Sequence, residues 1–185
     1  MAIMNFPLSK EAPPRRRAMV SAAADVLAEH GPDAPFELIA ERAGIERDTL
    51  DRHFPSRVVL TQAVLTQYVE DLADRTRSWA GEADVFLWFV EQLADLFVRT
   101  AGLPEALRVT APETLESLRH TIIEVGGRAL RDAQMEGLVR ADVTADDIMM
   151  ITTLLGAGLS GGLAERRAVS LRTREIVLSG LKAQP

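Results

Sequence analysis

The chain has 185 residues, 47% of them apolar and 26% charged, which allows one large domain, or a small one joined to a medium one, around a true core. It contains no cysteine, which excludes disulfides, thiolate metal sites and cysteine nucleophiles and fits a reducing compartment such as the cytoplasm. The net charge of −6 gives no bulk basic signal for nucleic acid, but residues 1–60 carry 8 Lys/Arg against 9 Asp/Glu and the remainder 13 against 18, so the N-terminal third is nearly neutral.

Residues 1–14 read as a disordered lead-in, with no apolar run long enough for a signal peptide. Period-two alternation is absent, so the expected fold is all-α. A first helix covers 15–29, with Met19, Ala22, Ala23, Val26 and Leu27 on one face, and His30-Gly31-Pro32 stops it. Pro35 suits the start of a second helix, "FELIAERA", which Gly44 ends as a left-handed cap. A short third helix covers 46–53. Pro55 stops it, and Ser56 caps a fourth running from 57 to about 79.

Residues 84–101 carry a broad apolar face of Val85, Phe86, Trp88, Phe89, Leu93, Leu96, Phe97 and Thr100, as a buried central helix would. Pro104 and Pro112 each mark a helix start, and Gly137 ends the helix that begins at 112. "TADD" at 144–147 is close to a capping box and opens a helix to about 163, and a last helix covers about 168–181. The uncharged run "IMMITTLLGAGLSGGLA" at 148–164 is only 17 residues long and diluted by Thr152, Thr153 and Ser160, so no membrane span is expected. Its "GAGLSGG" fits the spacing of a nucleotide fingerprint but follows no strand. Small residues that let two helix backbones approach are the better reading.

The second and third helices, joined by "AGI", have the layout of a helix-turn-helix, whose second helix enters the major groove. In that helix Leu50 and Phe54 face inward, while Arg47, Asp48, Asp51 and Arg52 face out. His53 points at solvent or a phosphate. Any helical hairpin in an all-helical protein has the same layout, so the motif alone leaves DNA binding open.

"FELIAERAGIERDTLDRHFPSRVVLTQAV" resembles the N-terminal domain of the tetracycline-repressor family of bacterial transcriptional regulators. The resemblance covers residues 15–65 and is carried by Gly31, Ile39, Ala40, Ala43, Gly44, Ile45, Thr49, Leu50, Phe54, Pro55 and Arg57. The stretch "ALRDAQMEGLVRADVTADDI" looks like the family's more variable ligand domain. The resemblance implies a homodimer with a DNA-binding domain at 15–56, which reads a palindromic operator. It also implies a ligand-binding and dimerisation domain at 57–185, where a small effector releases the DNA. Thr49 and Arg57 would sit on phosphates, and Arg15, Arg16 and Arg17 could reach the backbone. The chain departs from the family pattern at Glu46, Asp48 and Asp51, where small, small and aromatic residues are usual, and at Pro35, where threonine is. Two i,i+4 pairs, Arg47 with Asp51 and Asp48 with Arg52, would account for acids on such a helix. A carboxylate that accepts from cytosine N4 would serve specificity instead.

The expected effector is small and apolar or aromatic, held near Trp79, Phe86, Trp88, Phe89, Phe97 and His120. Core packing is the competing reading for the aromatics, and a satisfied helix histidine for His120. Ile148, Ile151, Leu155, Gly158, Leu159 and Ile176 are the expected dimer seam. The three histidines form no ligand cluster, so neither a metal, a cofactor nor an enzyme is expected. A second reading keeps the dimeric bundle as a small-molecule carrier or protein-interaction module without operator binding.

Overall fold

The computed structural model describes residues 14–183. Among them nine α-helices follow in order: α1 Pro14–His30, α2 Phe36–Ala43, α3 Arg47–His53, α4 Arg57–Ser78, α5 Val85–Arg99, α6 Leu103–Thr110, α7 Pro112–Met135, α8 Ala145–Gly156 and α9 Leu163–Leu181. The only extended pairing in this range is an isolated bridge between Val139 and Lys182, where the chain after α9 returns to the α7–α8 link. The all-α architecture is as expected. The lead-in lies outside the described residues, except Pro14, which opens α1.

Local chemistry sets most boundaries. Gly44 closes α2 with φ 65°, and its N–H and that of Ile45 return to Glu41 and Ala40. The Ser56 hydroxyl accepts from the Val59 N–H at 3.3 Å and starts α4. Pro112 sits at the start of α7, and the Asp147 carboxylate accepts from the Thr144 N–H at 2.7 Å in the capping box of α8. One expectation fails here: α8 stops at Gly156, not near 163, and α9 begins five residues early, at Leu163. Gly158 and Gly161 adopt left-handed φ of 71° and 78°, so "GAGLSGG" is a turn and not a close-approach face.

The central element is α5, which packs on α1, α4, α7, α8 and α9. It buries Val85, Phe86, Phe89, Val90, Leu93, Ala94 and Leu96. Side chains of α5 and α8 both crowd Gly126 of α7. A β-carbon there would stand 2.8 Å from the Phe89 Cε1 and 3.2 Å from the Ile148 Cδ1. Gly126→Ala is expected to destabilise by about 1–3 kcal/mol through overpacking, against the ordinary helix gain of about 1 kcal/mol from alanine. Urea unfolding of the pair checks the sign.

Candidate nucleic-acid interface and ligand cavity

The N-terminal site is built on buried side chains. Leu50 and Phe54 are fully buried in the core cluster that also holds residues of α1 and α2, and α3 packs on α2. The Arg16 guanidinium lies over the Phe54 ring at 4.7 Å. This leaves one face of α3 outward, about 10 Å long for seven residues.

That face is arranged around Arg47. Its Nε donates to both carboxylate oxygens of Asp51 at 2.9 Å, its Nη1 donates to Glu37 of α2 at 2.5 Å, and the guanidinium covers the Phe36 ring at 4.7 Å. One cation thus holds two acids, and the Arg47–Asp51 pairing is as expected. Glu37 is the partner that reading within one helix could not find, because it lies ten residues upstream on the adjacent helix. The expected Asp48–Arg52 ion pair does not form. Arg52 instead folds back on its own helix, with Nε donating to the Asp48 carbonyl at 3.2 Å and Nη2 to the Thr49 hydroxyl at 3.1 Å. Thr49 is buried, whereas Glu46, Asp48 and His53 are exposed. Arg15 is exposed at the start of α1, and Arg16 and Arg17 are half-buried.

Arg57, expected on a phosphate, is engaged elsewhere. Its Nη1 donates to the carbonyls of Pro32 and Ala34 at 2.8 Å each, and the guanidinium covers Phe36 at 5.1 Å. The α1–α2 loop bends sharply and leaves those carbonyls pointing at the start of α4, so the cation staples loop to helix.

The second site is a cavity of about 340 Å³ between α4, α5, α6, α7 and α8. This is near the small end of the about 300–1,000 Å³ usual for ligand pockets. Leu65 and Val69 of α4, Leu96 and Phe97 of α5, Leu115, Leu118 and Ile122 of α7 and Leu159 form apolar walls. Thr100, Thr152 and Thr153 contribute hydroxyls whose protons go to carbonyls of their own helices, which leaves acceptor lone pairs. At the rim Glu105 is held by Arg108 through a bidentate pair, which keeps its carboxyl below the usual range. Arg119, also at the rim, pairs with Glu116 at 3.7 Å.

Of the six expected effector residues, only Phe97 lines this cavity. Trp79 is 47% exposed and stacks on Trp88 at 5.2 Å, with Arg75 over Trp88 at 5.0 Å. Phe86 and Phe89 are close-packed core, and His120 is exposed. The aromatic half of α5 is filled by its neighbours. The space opens at its other end, where Thr100, Ala101 and Gly102 are small. The expected dimer residues fall in different settings within one protomer. Ile148, Ile151 and Leu155 face this chain's own core, Leu159 lines the cavity and Gly158 is in the turn. Of the six, Ile176 offers a large exposed apolar side chain, and the outer side of α8 presents Met150 and Leu154 instead.

Residues 19–64 match the family described as bacterial regulatory proteins, tetR family, and residues 82–183 match the transcriptional regulator SbtR-like C-terminal domain of that family. The chain belongs to the TetR family of transcriptional regulators. This TetR-family chain is 27% identical to the HTH-type transcriptional regulator UidR of Escherichia coli K12, over 95% of this chain and 93% of that one. Its fold superposes on the TetR regulator SCO0520 of Streptomyces coelicolor with a TM-score of 0.74 and 25% identity, covering 92% of this chain and 99% of that one. A TetR regulator of Mycobacterium vanbaalenii superposes with a TM-score of 0.69 and 26% identity, covering 91% and 95%. The protein is thus a helix-turn-helix regulator of transcription and not an enzyme, of a family that binds operator DNA as dimers. Among the described residues no helix is long and apolar enough to cross a membrane.

Proposed function

We propose that this TetR-family regulator is a cytoplasmic repressor. It grips a palindromic operator through α1–α3 of two protomers and lets go when a small apolar or aromatic molecule enters the cavity. The observation that carries the reading is the position of α4. Leu65 and Val69 of this helix form a cavity wall, and its first residue, Arg57, is stapled to the DNA-binding unit. A ligand that prefers one tilt of α4 therefore biases the recognition helices by differential binding to two conformations. Arg119 suits a carboxylate or other acceptor at the ligand's outer end. Dimerisation is assigned to the outer faces of α8 and α9, through Met150, Leu154, Leu171 and Ile176.

The exposed carboxylates of Glu46 and Asp48 favour a second reading, a dimeric carrier without operator binding. Selection from a randomised duplex pool separates the two. The repressor should enrich a palindrome whose half-sites lie about 34–36 Å apart, one helical turn. Occupancy of the cavity, probed with 1-anilinonaphthalene-8-sulfonate, should weaken that complex about tenfold, a typical coupling of about 1.4 kcal/mol. A folded dimer that enriches no duplex would establish the carrier.

A further inference from the structure

Arg166 lies near the start of α9 and is 4% exposed, which is unusual for a guanidinium. No carboxylate lies within ion-pair distance of it among the described residues, and burial pushes its pKa below the usual arginine range, although an arginine stays protonated at neutral pH. Its Nη1 donates to the Val98 carbonyl at 2.8 Å, its Nη2 donates to the Ala28 carbonyl, and its Nε has no partner. Both acceptors sit in the last turn of a helix, α5 and α1, where carbonyls lack intrahelical donors and the helix dipole is negative. At Ala28 the sequence itself creates the vacancy. The residue four further on is Pro32, which has no N–H to give.

The three anchors belong to different working parts. Ala28 ends the first helix of the DNA-binding unit. Val98 follows Phe97, a cavity wall, and Arg166 follows the turn that carries Leu159, another wall. Gly102, also on the cavity, backs onto the Pro32 ring, with its β-position 3.4 Å from Cγ.

We propose that Arg166 is the positioning residue that couples cavity occupancy to the placement of the DNA-binding helices, by clamping the ends of α1 and α5 to α9. The inference rests on the reading of the cavity as the effector site. An occupant that presses Phe97 or Leu159 moves one anchor of a buried cation that cannot let go of the other without stranding its charge. The strain therefore passes to α1.

The chain has no cysteine, so Asp48→Cys on the exposed face of α3 puts one spin label on each protomer of the dimer. Pulsed dipolar spectroscopy then reads the separation of the two recognition helices. Arg166→Met should roughly double the width of that distribution, since it removes one of the cationic ties that hold the DNA-binding unit, with dimer and helix content retained. Leu118→Trp, which fills the cavity without a ligand, should shift the mean by about 3 Å, near one base-pair rise, in the presence of Arg166 and by less than half of that in its absence, where α4 still transmits. A shift from Leu118→Trp that is equal in both backgrounds would overturn the clamp and leave the effector site standing. A shift in neither background would overturn the effector reading and the coupling with it. If Arg166→Met does not fold, Arg166→Lys carries the same comparison, because an ammonium lacks the fork that spans two carbonyls.

Discussion

Asp51→Asn is expected to tighten DNA binding about tenfold, and Arg47→Ala to weaken it about as much. The cluster of Glu37, Arg47 and Asp51 carries a net charge of −1 on the surface that the proposed operator contact turns toward phosphates. The first substitution brings it to neutrality and leaves Glu37 as the one carboxylate on Arg47. The second leaves two carboxylates with no cation between them. One unit charge about 6 Å from a phosphate is worth about 0.7 kcal/mol in water, and two copies act in a dimer, which gives about 1.4 kcal/mol, or a factor of ten. Both effects should shrink as salt shortens the screening length toward about 8 Å. Titration of a selected duplex at two salt concentrations tests this. Equal affinities for wild type and Asp51→Asn at low salt would mean that the cluster never approaches the backbone.

The second large effect concerns Asp71 on α4, which is 5% exposed. Its Oδ1 accepts from Gln67 at 3.0 Å, and its Oδ2 is buried with no partner among the described residues. Burial, reinforced by the nearby Glu70 and Asp74 and opposed by Gln67 and Arg75, pushes its pKa up to about 7. The unfolded chain titrates this group near 3.9. Because the folded value is the higher one, the fold is favoured by the neutral form. That contribution is complete below about pH 4 and is lost as pH rises through 7. At about 1.4 kcal/mol per unit, the cost to wild type grows by about 2–3 kcal/mol between pH 5 and pH 8. Asp71→Asn keeps the shape and the acceptor and removes the charge. Its advantage over wild type should therefore grow by that amount across the window, or by about 5–10 °C in midpoint for a domain of this size. A difference that stays flat with pH would show that water reaches the carboxyl.

Helix order is legible in the chain because the signals that start and stop helices are local. Gly44, Ser56, Pro112 and the Thr144–Asp147 box each act within four residues of a boundary. The glycine run at 156–162 misleads, because the same residues serve a close helix crossing and a left-handed turn, and tertiary context decides between them. The sites are harder to read. Leu115 and Leu118 look like core from their spacing, and nothing in that spacing says that the space opposite is empty. The inward side of α8 reads as a dimer seam because Ile148, Ile151 and Leu155 form its most apolar stripe, yet the strongest stripe goes to the chain's own core. Arg166 gives no periodic signal at all, since its acceptors are backbone atoms 68 and 138 residues away.

Under the proposed release mechanism, the Arg57 staple makes α4 the arm of a mechanical amplifier. Twenty-two residues make a rod about 33 Å long, at about 1.5 Å per residue. With the α1–α2 loop tied to the first residue of the rod at Pro32 and Ala34, a rotation of the rod would carry the loop with it. A tilt of about 5° about the far end moves the near end about 3 Å, close to the about 3.4 Å between stacked base pairs. A molecule small enough to fit in 340 Å³ could therefore throw two reading heads out of phase with the double helix without unfolding a single turn.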